Sequence, residues 1–215
     1  MRWDWLARNA PQIWDYLLQH AWLAASATLL GLVIALPLGA LASRYSWTYP
    51  PLTTLAGLLY TIPSLALFVV LPGLLGTRIL DPINVVIALT IYTVALMVRV
   101  VADALASVPE LVRQSALAMG YRPLRSLITV QLPLAVPVIG AGLRVAAVSN
   151  VSLVSVAALL GVPQLGSLFT QGLQLDFATP IVAGIVLSLA LAVVFDAIIL
   201  LAIRIGTPWA RAVRS

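Results

Sequence analysis

Apolar residues along this chain fall into five long stretches, separated by shorter segments that are rich in charge, proline and glycine. Each stretch is about as long as the roughly 20 helical residues that cross the hydrocarbon core of a bilayer. Polar side chains are rare inside them, as expected where no water is present to solvate a charge. The pattern predicts an all-α integral membrane protein with about five transmembrane helices, at residues 21–42, 52–75, 83–102, 133–160 and 179–203.

The longest break in this pattern is the segment 108–137. Within it, residues 109–119 predict a short amphipathic helix, because Pro109 suits a first helical turn and Gly120 suits the left-handed residue that ends a helix. The apolar residues of this helix share one stripe, formed by Val112, Ala116 and Met119. Such a helix either offers a surface to a soluble partner or lies on lipid headgroups. The pattern alone leaves both interpretations open.

The two ends of the chain differ from the middle. Residues 1–20 mix tryptophan and tyrosine with four charges, which is typical of a segment at the membrane interface. Residues 21–204 form one transmembrane domain in this interpretation, and residues 205–215 form a basic cytoplasmic tail.

Composition narrows the function classes. Of 215 residues, 62% are hydrophobic and 9% are charged, whereas a soluble domain carries about 25% charged residues. All 12 basic residues are arginine, and without lysine the chain has no phosphate-binding P-loop of its own. One histidine, no cysteine and no close carboxylate pair disfavour an enzyme or a metal site. The arginines form no basic stripe with interleaved aromatics, so no nucleic-acid partner is predicted.

Two charges fall inside predicted spans. Arg144 lies near the middle of the fourth, where a charge is costly unless it faces a cavity or a partner. We interpret it as a translocation-path or subunit-interface residue, with an ion pair to Asp103 or a snorkelling arginine as the alternatives. Asn150 and the serines around it either line a polar route or bond to neighbouring helices. Asp196 in the fifth span fits a packing contact or a subunit interface, and the lack of a titratable chain disfavours proton coupling.

The second span is interrupted around Tyr60, Pro63 and Ser64. Unwound backbone at membrane depth is tolerated where it lines a cavity or is covered by protein. The interruption is therefore a candidate part of a translocation path, and a packing kink is the alternative. The rings of Tyr60 and Phe68 are of the kind that attracts quaternary ammonium groups by cation–π interaction.

The segment from Gln114 resembles the EAA loop of bacterial ABC importer permeases. The family pattern is Glu-Ala-Ala, three residues, Gly, nine residues, Ile-x-Leu-Pro. Here it reads Gln114-Ser115-Ala116, Gly120 and Val130-Gln131-Leu132-Pro133 with every spacing kept. Gln114 replaces the glutamate, which keeps hydrogen bonding but removes the charge. The resemblance implies that the loop, about 109–133, carries a cytoplasmic coupling helix that docks in a cleft of the ATP-binding subunit. The residues implied in that contact are Glu110, Arg113, Gln114, Ser115, Ala116, Met119, Gly120, Tyr121 and Arg122.

Three further stretches resemble the glycine betaine, carnitine and choline branch of these permeases. They are IPSLAL at 62–67, LPLAVPVIGAGLRVA at 132–146 and the glycine-rich turn at 161–166, where Pro163 and Gln164 depart from the branch. The resemblance implies a MetI-like permease fold and a permease subunit that imports osmoprotectants or quaternary ammonium compounds by alternating access. An importer of methionine or another amino acid is the alternative, and a non-ABC carrier or channel is the next.

The resemblance also implies the partners. They are a dimer of ABC ATPase subunits that holds ATP and Mg²⁺, a second permease subunit, an extracytoplasmic solute-binding protein and the bilayer of a bacterial cell membrane. No cofactor is implied in this chain, because ATP hydrolysis belongs to the ATPase partner.

The arginines predict the orientation. If the EAA-like loop is inside, eight arginines are cytoplasmic and three, Arg2, Arg8 and Arg78, are outside. This asymmetry obeys the positive-inside rule and predicts an outside N-terminus and a cytoplasmic C-terminus. The cytoplasmic set is Arg44, Arg99, Arg113, Arg122, Arg125, Arg204, Arg211 and Arg214.

Overall fold

The computed structural model describes residues 2–209, and all regular structure in that range is helical, which confirms the predicted all-α fold. Arg211 and Arg214 of the predicted basic tail lie outside the described residues. The α-helices of residues 2–209 are α1 (Trp3–Arg44), α2 (Tyr49–Thr61), α3 (Ser64–Leu75), α4 (Pro82–Ala106), α5 (Glu110–Ala118), α6 (Pro123–Ser126), α7 (Leu132–Val154), α8 (Ser167–Gln174) and α9 (Ala178–Gly206). A π-helical turn (Leu127–Gln131) joins α6 to α7, and a 3₁₀ segment (Ser155–Leu160) follows α7.

Four of these continuous helical segments are long and apolar enough to cross a membrane. They are α1, α4, the run from α6 through the 3₁₀ segment, and α9. The helices α2 and α3 pass the same test together, although the pair is bent by 100°. Counting this pair as one crossing gives the five predicted spans.

The first helix is longer than the sequence pattern indicated. It runs for 42 residues without interruption, so that residues 3–20 and the first predicted span form one helix rather than two elements. At 1.5 Å per residue it is about 63 Å long, roughly twice the thickness of a hydrocarbon core. Its N-terminal end contacts the start of α9, where the Arg2 backbone N–H donates to Thr179 Oγ1 at 3.1 Å and the Trp5 ring meets Phe177 edge to face. The starts of α1 and α9 therefore lie on the same side of the molecule.

The bend between α2 and α3 has a local cause. Ile62 and Pro63 both have extended backbone, as expected for a proline and the residue before it. The Ile62 carbonyl, which has lost its helical partner, accepts a hydrogen bond from the Tyr92 hydroxyl of α4. A side chain on another helix thus satisfies the backbone at the bend.

The fourth helix forms the centre of the fold, with α1, α2 and α7 packed around it. Small residues let the backbones approach closely, as is common between membrane helices. A Cβ at Gly31 of α1 would overlap Thr93 of α4, and a Cβ at Gly39 would overlap Val101. The same holds where Gly142 of α7 faces Val100. The core of the protein is therefore built around one face-to-face contact of α1 with α4.

Candidate functional site

The coupling segment has the predicted construction. The helix α5 covers Glu110–Ala118, one residue shorter at each end than the sequence indicated, and Gly120 has the left-handed φ of +83°. The Gly120 N–H donates to the Leu117 carbonyl at 2.9 Å, and the Tyr121 N–H donates to the Ala116 carbonyl at 3.1 Å. This pair of hydrogen bonds is the Schellman arrangement, which closes a helix at a glycine. The chain therefore turns sharply after a helix of fixed length.

The predicted apolar stripe of α5 is split between two surfaces. Ala116 is buried and Val112 is half-buried, but Met119 is 69% exposed. Met119 is the residue that ends the helix, so the turn at Gly120 directs it away from the inner face. The side chains that face outward are Leu111, Gln114, Ser115, Ala118 and Met119. This mixed apolar and polar surface is exposed in the chain, and we call it the coupling face after the role that the family resemblance implies.

The charged residues of the segment are arranged within it. Arg113 and Glu110 form an ion pair at 2.6 Å, and the Gln114 side chain donates to Glu110 at 3.3 Å. An exposed pair of this kind contributes about 0–1 kcal/mol, so its main effect is to orient the side chains. Arg125 stacks over the Tyr121 ring at 5.3 Å, while Arg122 is exposed. Every predicted coupling residue therefore lies on or directly beside α5.

The predicted path residues do not form one cluster. Tyr60 is 47% exposed beside the α2–α3 bend, and its ring meets Tyr92 edge to face at 5.8 Å. Pro63 makes the bend itself, and Ser64 begins α3. Phe68 is fully buried, so of the two rings named as candidates for cation–π contact it offers no surface to a solute. Tyr92, which the sequence did not single out, lies edge to face with Tyr60 but is itself only 5% exposed, so Tyr60 is the exposed ring at the bend.

A groove of about 460 Å³ lies between α2 and α4 next to this aromatic pair. Tyr60 lines one end, and Arg99 and Asp103 line the part nearer the end of α4. Asp103 accepts a hydrogen bond from the Tyr49 hydroxyl at 2.7 Å and lies 3.7 Å from Arg99. The spacing of Tyr92, Arg99 and Asp103 along one face of α4 was visible in the sequence as a signal. The shared face becomes apparent only when the three residues are placed together on a helix, at separations of seven and four residues.

Asn150 holds three helices together. It is 2% exposed, and its amide nitrogen donates at 2.8 Å both to Thr28 of α1 and to Thr93 of α4. Both N–H groups are committed to the protein, so they are not available to a passing solute. The neighbouring small cavity contains Asn150 together with Tyr60 and Tyr92. Asn150 is thus close to the aromatic pair but is bound into the core.

Arg144 forms an ion pair, as one of the alternatives from the sequence had it, but with a partner other than Asp103. It forms a two-pronged ion pair with Asp196 of α9, at 2.6 and 2.8 Å, and not with Asp103. The sequence separation of 52 residues explains the error, because only the fold brings α7 beside α9. Both side chains are about one-third exposed. Arg144 is absent from the lining of the α2–α4 groove, so the structure separates it from Tyr60.

A buried histidine network also escaped the sequence analysis. His20 is fully buried, with Nε2 2.8 Å from the Val151 carbonyl and Nδ1 3.2 Å from the Gln164 side chain. The Gln164 amide also accepts from the Gly166 N–H and donates to the Ser155 carbonyl. Gln164 was a departure from the branch pattern in the turn at 161–166, and the structure shows that its side chain holds this turn against α1.

Comparison with known proteins agrees with this architecture. The profile of the family described as "Binding-protein-dependent transport system inner membrane component" matches residues 14–204. The osmoprotectant import permease protein OsmW of Salmonella typhimurium is 35% identical over 191 residues, which cover 87% of this chain and 88% of OsmW. The choline transport system permease protein OpuBB of Bacillus subtilis is 28% identical over 205 residues, covering 95% and 93% of the two chains.

A solved structure supports the fold independently of close sequence similarity. A chain of the MetNI methionine ABC transporter, in an inward-facing conformation, superposes with a TM-score of 0.82 at 21% identity, over 91% of this chain and 96% of that one. This confirms the predicted MetI-like permease fold. The chain therefore belongs to the binding-protein-dependent transport system inner membrane component family, as a multi-pass permease subunit of an ABC importer.

Proposed function

We propose that this permease imports osmoprotectants of the quaternary ammonium type, such as glycine betaine, choline or carnitine. The names of its relatives OsmW and OpuBB support this solute class. The observation in the molecule that carries it is the exposed Tyr60 ring, paired with Tyr92 at the bend of a broken span. An aromatic face attracts a desolvated quaternary ammonium group, which no hydrogen-bond donor or acceptor recognises.

The solute path runs along the groove between α2 and α4. Charges on a lipid-facing surface are costly, so Arg99 and Asp103 favour a groove that faces water or another subunit. The volume is in the range of small-molecule sites, about 300–1,000 Å³. A zwitterion finds an aromatic ring for its cation at one end and a guanidinium for its carboxylate at the other.

The other residues predicted for the path lie outside the groove. Pro63 and Ser64 shape the bend next to it, while Asn150 and Arg144 act through the packing of helices.

The ATPase partner acts on this chain at the coupling face. ATP binding closes a dimer of ATPase partner subunits, and α5 moves with them as one rigid body because the Schellman turn at Gly120 fixes its end. The partner drives the change because it binds one conformation better than the other. The predicted orientation, with an outside N-terminus, places this face in the cytoplasm. A second permease subunit completes the path, and an extracytoplasmic binding protein delivers the solute.

Co-purification from native membranes tests the assembly. The tagged chain is expected to bring down an ATPase, a second permease and a solute-binding protein. That binding protein is then screened against betaine, choline, carnitine, proline and methionine. Preference for methionine would replace the proposed solute with an amino acid. A functional chain that purifies alone would contradict the whole assembly.

Two glycines provide a matched test of coupling. Gly120 and Gly76 both have positive φ, and a Cβ at either meets nothing within 4 Å. A side chain at each adds a similar backbone strain, about 1–2 kcal/mol. Gly120→Glu also places a charge beside the coupling face, so we expect it to abolish ATP-driven uptake and ATPase co-purification. Gly76→Glu is expected to retain both. Equal losses would attribute the effect to strain instead of docking.

The ring of Tyr60 is tested by transport kinetics in proteoliposomes. Tyr60→Ala is expected to lower uptake of a quaternary ammonium solute about fivefold or more, since a cation–π contact contributes about 1–2 kcal/mol when desolvated. Tyr60→Phe keeps the aromatic face and is expected to retain most of the uptake. A Phe variant as impaired as the Ala variant would remove cation–π recognition from the proposal.

A further inference from the structure

A second cavity lies behind the coupling helix, on the side opposite the coupling face. Its volume is about 260 Å³, and three elements enclose it: the end of α1, the helix α5 and the turn from α6 into the π-helical segment. Its polar lining consists of Ser43, Arg44, Arg113, Ser126 and Gln131. The cavity is well above the roughly 30 Å³ share of one water, so a small tetrahedral group has room to enter.

The charged side chains that line this cavity are all positive. Two guanidinium groups line it and no carboxylate does. Glu110 pairs with Arg113 at 2.6 Å, but Glu110 is not part of the lining. Arg44 stacks over its neighbour Tyr45 at 5.4 Å. Glu110 offsets part of the Arg113 charge, whereas Arg44 has no carboxylate partner among the described residues, so the lining keeps a net positive charge and is electrostatically complementary to an anion.

A buried hydroxyl adds a directed donor. Ser126 is 2% exposed, and its oxygen accepts a hydrogen bond from the Gln131 side chain at 3.3 Å. Its own O–H has no acceptor among the described residues, so a donor that is more than nine-tenths buried lines the cavity. Arginines together with a hydroxyl donor form the usual recognition set for a phosphate group, which offers several acceptor oxygens.

We propose that this cavity binds a phosphate-type anion, which ties α1 to the coupling helix. The cavity lies at the end of α1, a candidate membrane span, so a lipid phosphate is one source of the anion, and inorganic phosphate has the same chemistry. Arg44 belongs to α1 and Arg113 to α5, so one bound anion contacts both elements. Occupancy therefore restrains α5 relative to the membrane domain. This binding goes beyond the proposed transport function and does not depend on which solute is carried.

Lipid retention by the full chain, with any subunits that co-purify, tests the proposal. The protein is exchanged into mixed phosphatidylglycerol and phosphatidylcholine, and bound lipids are counted by native mass spectrometry. The wild type is expected to retain phosphatidylglycerol preferentially. The double variant Arg44→Gln/Arg113→Gln is expected to lose this retention about tenfold or more, because each arginine near an anionic surface contributes about a fivefold factor.

Arg122→Gln/Arg125→Gln is the matched control, since it also removes two arginine charges, from the loop after α5, and neither residue lines the cavity. It is expected to change retention severalfold less than Arg44→Gln/Arg113→Gln. If Arg44→Gln/Arg113→Gln does not fold, the single variant Arg44→Gln replaces it in this test, because Arg44 lies at an exposed helix end. In a second arm without anionic lipid, inorganic phosphate is expected to raise the melting temperature of the wild type only.

Each possible outcome either supports or overturns the proposed anion binding. A lipid preference that needs both arginines supports the cavity, with a lipid headgroup as the source. A phosphate effect without lipid preference supports the same cavity with a soluble anion. Equal losses in Arg122→Gln/Arg125→Gln and Arg44→Gln/Arg113→Gln would assign the binding to general surface charge and overturn it. The absence of both effects would overturn it as well.

Discussion

Two membrane helices of this permease, α4 and α9, are similar in length and apolar character but have opposite surroundings. In the most apolar stretch of α4, 67% of the residues are buried inside the chain. In the corresponding stretch of α9, only 6% of the residues are buried. The helix with the higher hydropathy is the exposed one. In a bilayer, apolar side chains need no protein cover, so packing is selected by small and polar residues instead. Burial in α4 accordingly falls mainly on alanine, valine and threonine, with two leucines among its buried residues.

The largest effect is expected where α1 meets α4. Gly31→Ala places a methyl group against Thr93, which is itself held by Asn150, so the backbones must separate. We expect a loss of about 3 kcal/mol, the upper range for overpacking. Gly57→Ala is the control, because a Cβ there meets nothing within 4 Å. Heating followed by size-exclusion chromatography measures the folded fraction, and equal stability of the two variants would contradict close packing at Gly31.

One buried and one exposed leucine test the difference in surroundings between α4 and α9. Leu89 of α4 is fully buried, and Leu189 of α9 is 63% exposed. Leu89→Ala is expected to cost about 2 kcal/mol, the low end for a cavity, because the alternative environment is lipid and not water. Leu189→Ala is expected to stay within about 0.5 kcal/mol. If Leu189→Ala instead disrupts the assembly, the outer face of α9 is covered by a second permease and not by lipid.

The ion pair between Arg144 and Asp196 joins α7 to α9. Arg144→Leu leaves the Asp196 carboxylate without its partner inside an apolar region, so we expect a lower melting temperature and a lower yield of monodisperse protein. The double variant Arg144→Leu/Asp196→Leu removes both charges and is expected to recover most of the loss. A double variant worse than either single one would indicate that each charge has a separate role.

The smallest effect is expected from the polar contacts of Asn150. Thr28 and Thr93 both donate to carbonyls of their own helices and lose only one incoming bond when Asn150 is removed. Interhelical hydrogen bonds in membranes average about 0.6 kcal/mol, so Asn150→Ala is expected to cost about 1 kcal/mol for the two. A double-mutant cycle with Thr93→Val measures the coupling. A value near zero would show that Asn150 acts by shape alone.

The sequence predicted those features that depend on a few neighbouring residues. Gly120 was identified as the end of α5 because only the local backbone decides where a left-handed residue is needed. The bend at Pro63 was predicted for the same reason. The partner of Arg144 and the burial of Asn150 were not predicted, since helices distant in sequence determine both. The family resemblance supplied the coupling function, which the amphipathic pattern had left open between a docking surface and a lipid-bound helix.

The unbroken length of α1 has a mechanical consequence. Its C-terminal end carries Arg44, which lines the cavity behind α5, and its other end contacts Phe177 at the start of α9. At that length, a tilt of about 5° about one end displaces the other end by about 5 Å. A displacement of that size is enough to separate Trp5 from Phe177. A change in the tilt of α1 near Arg44 would therefore alter the contact of α1 with α9 on the opposite side of the molecule.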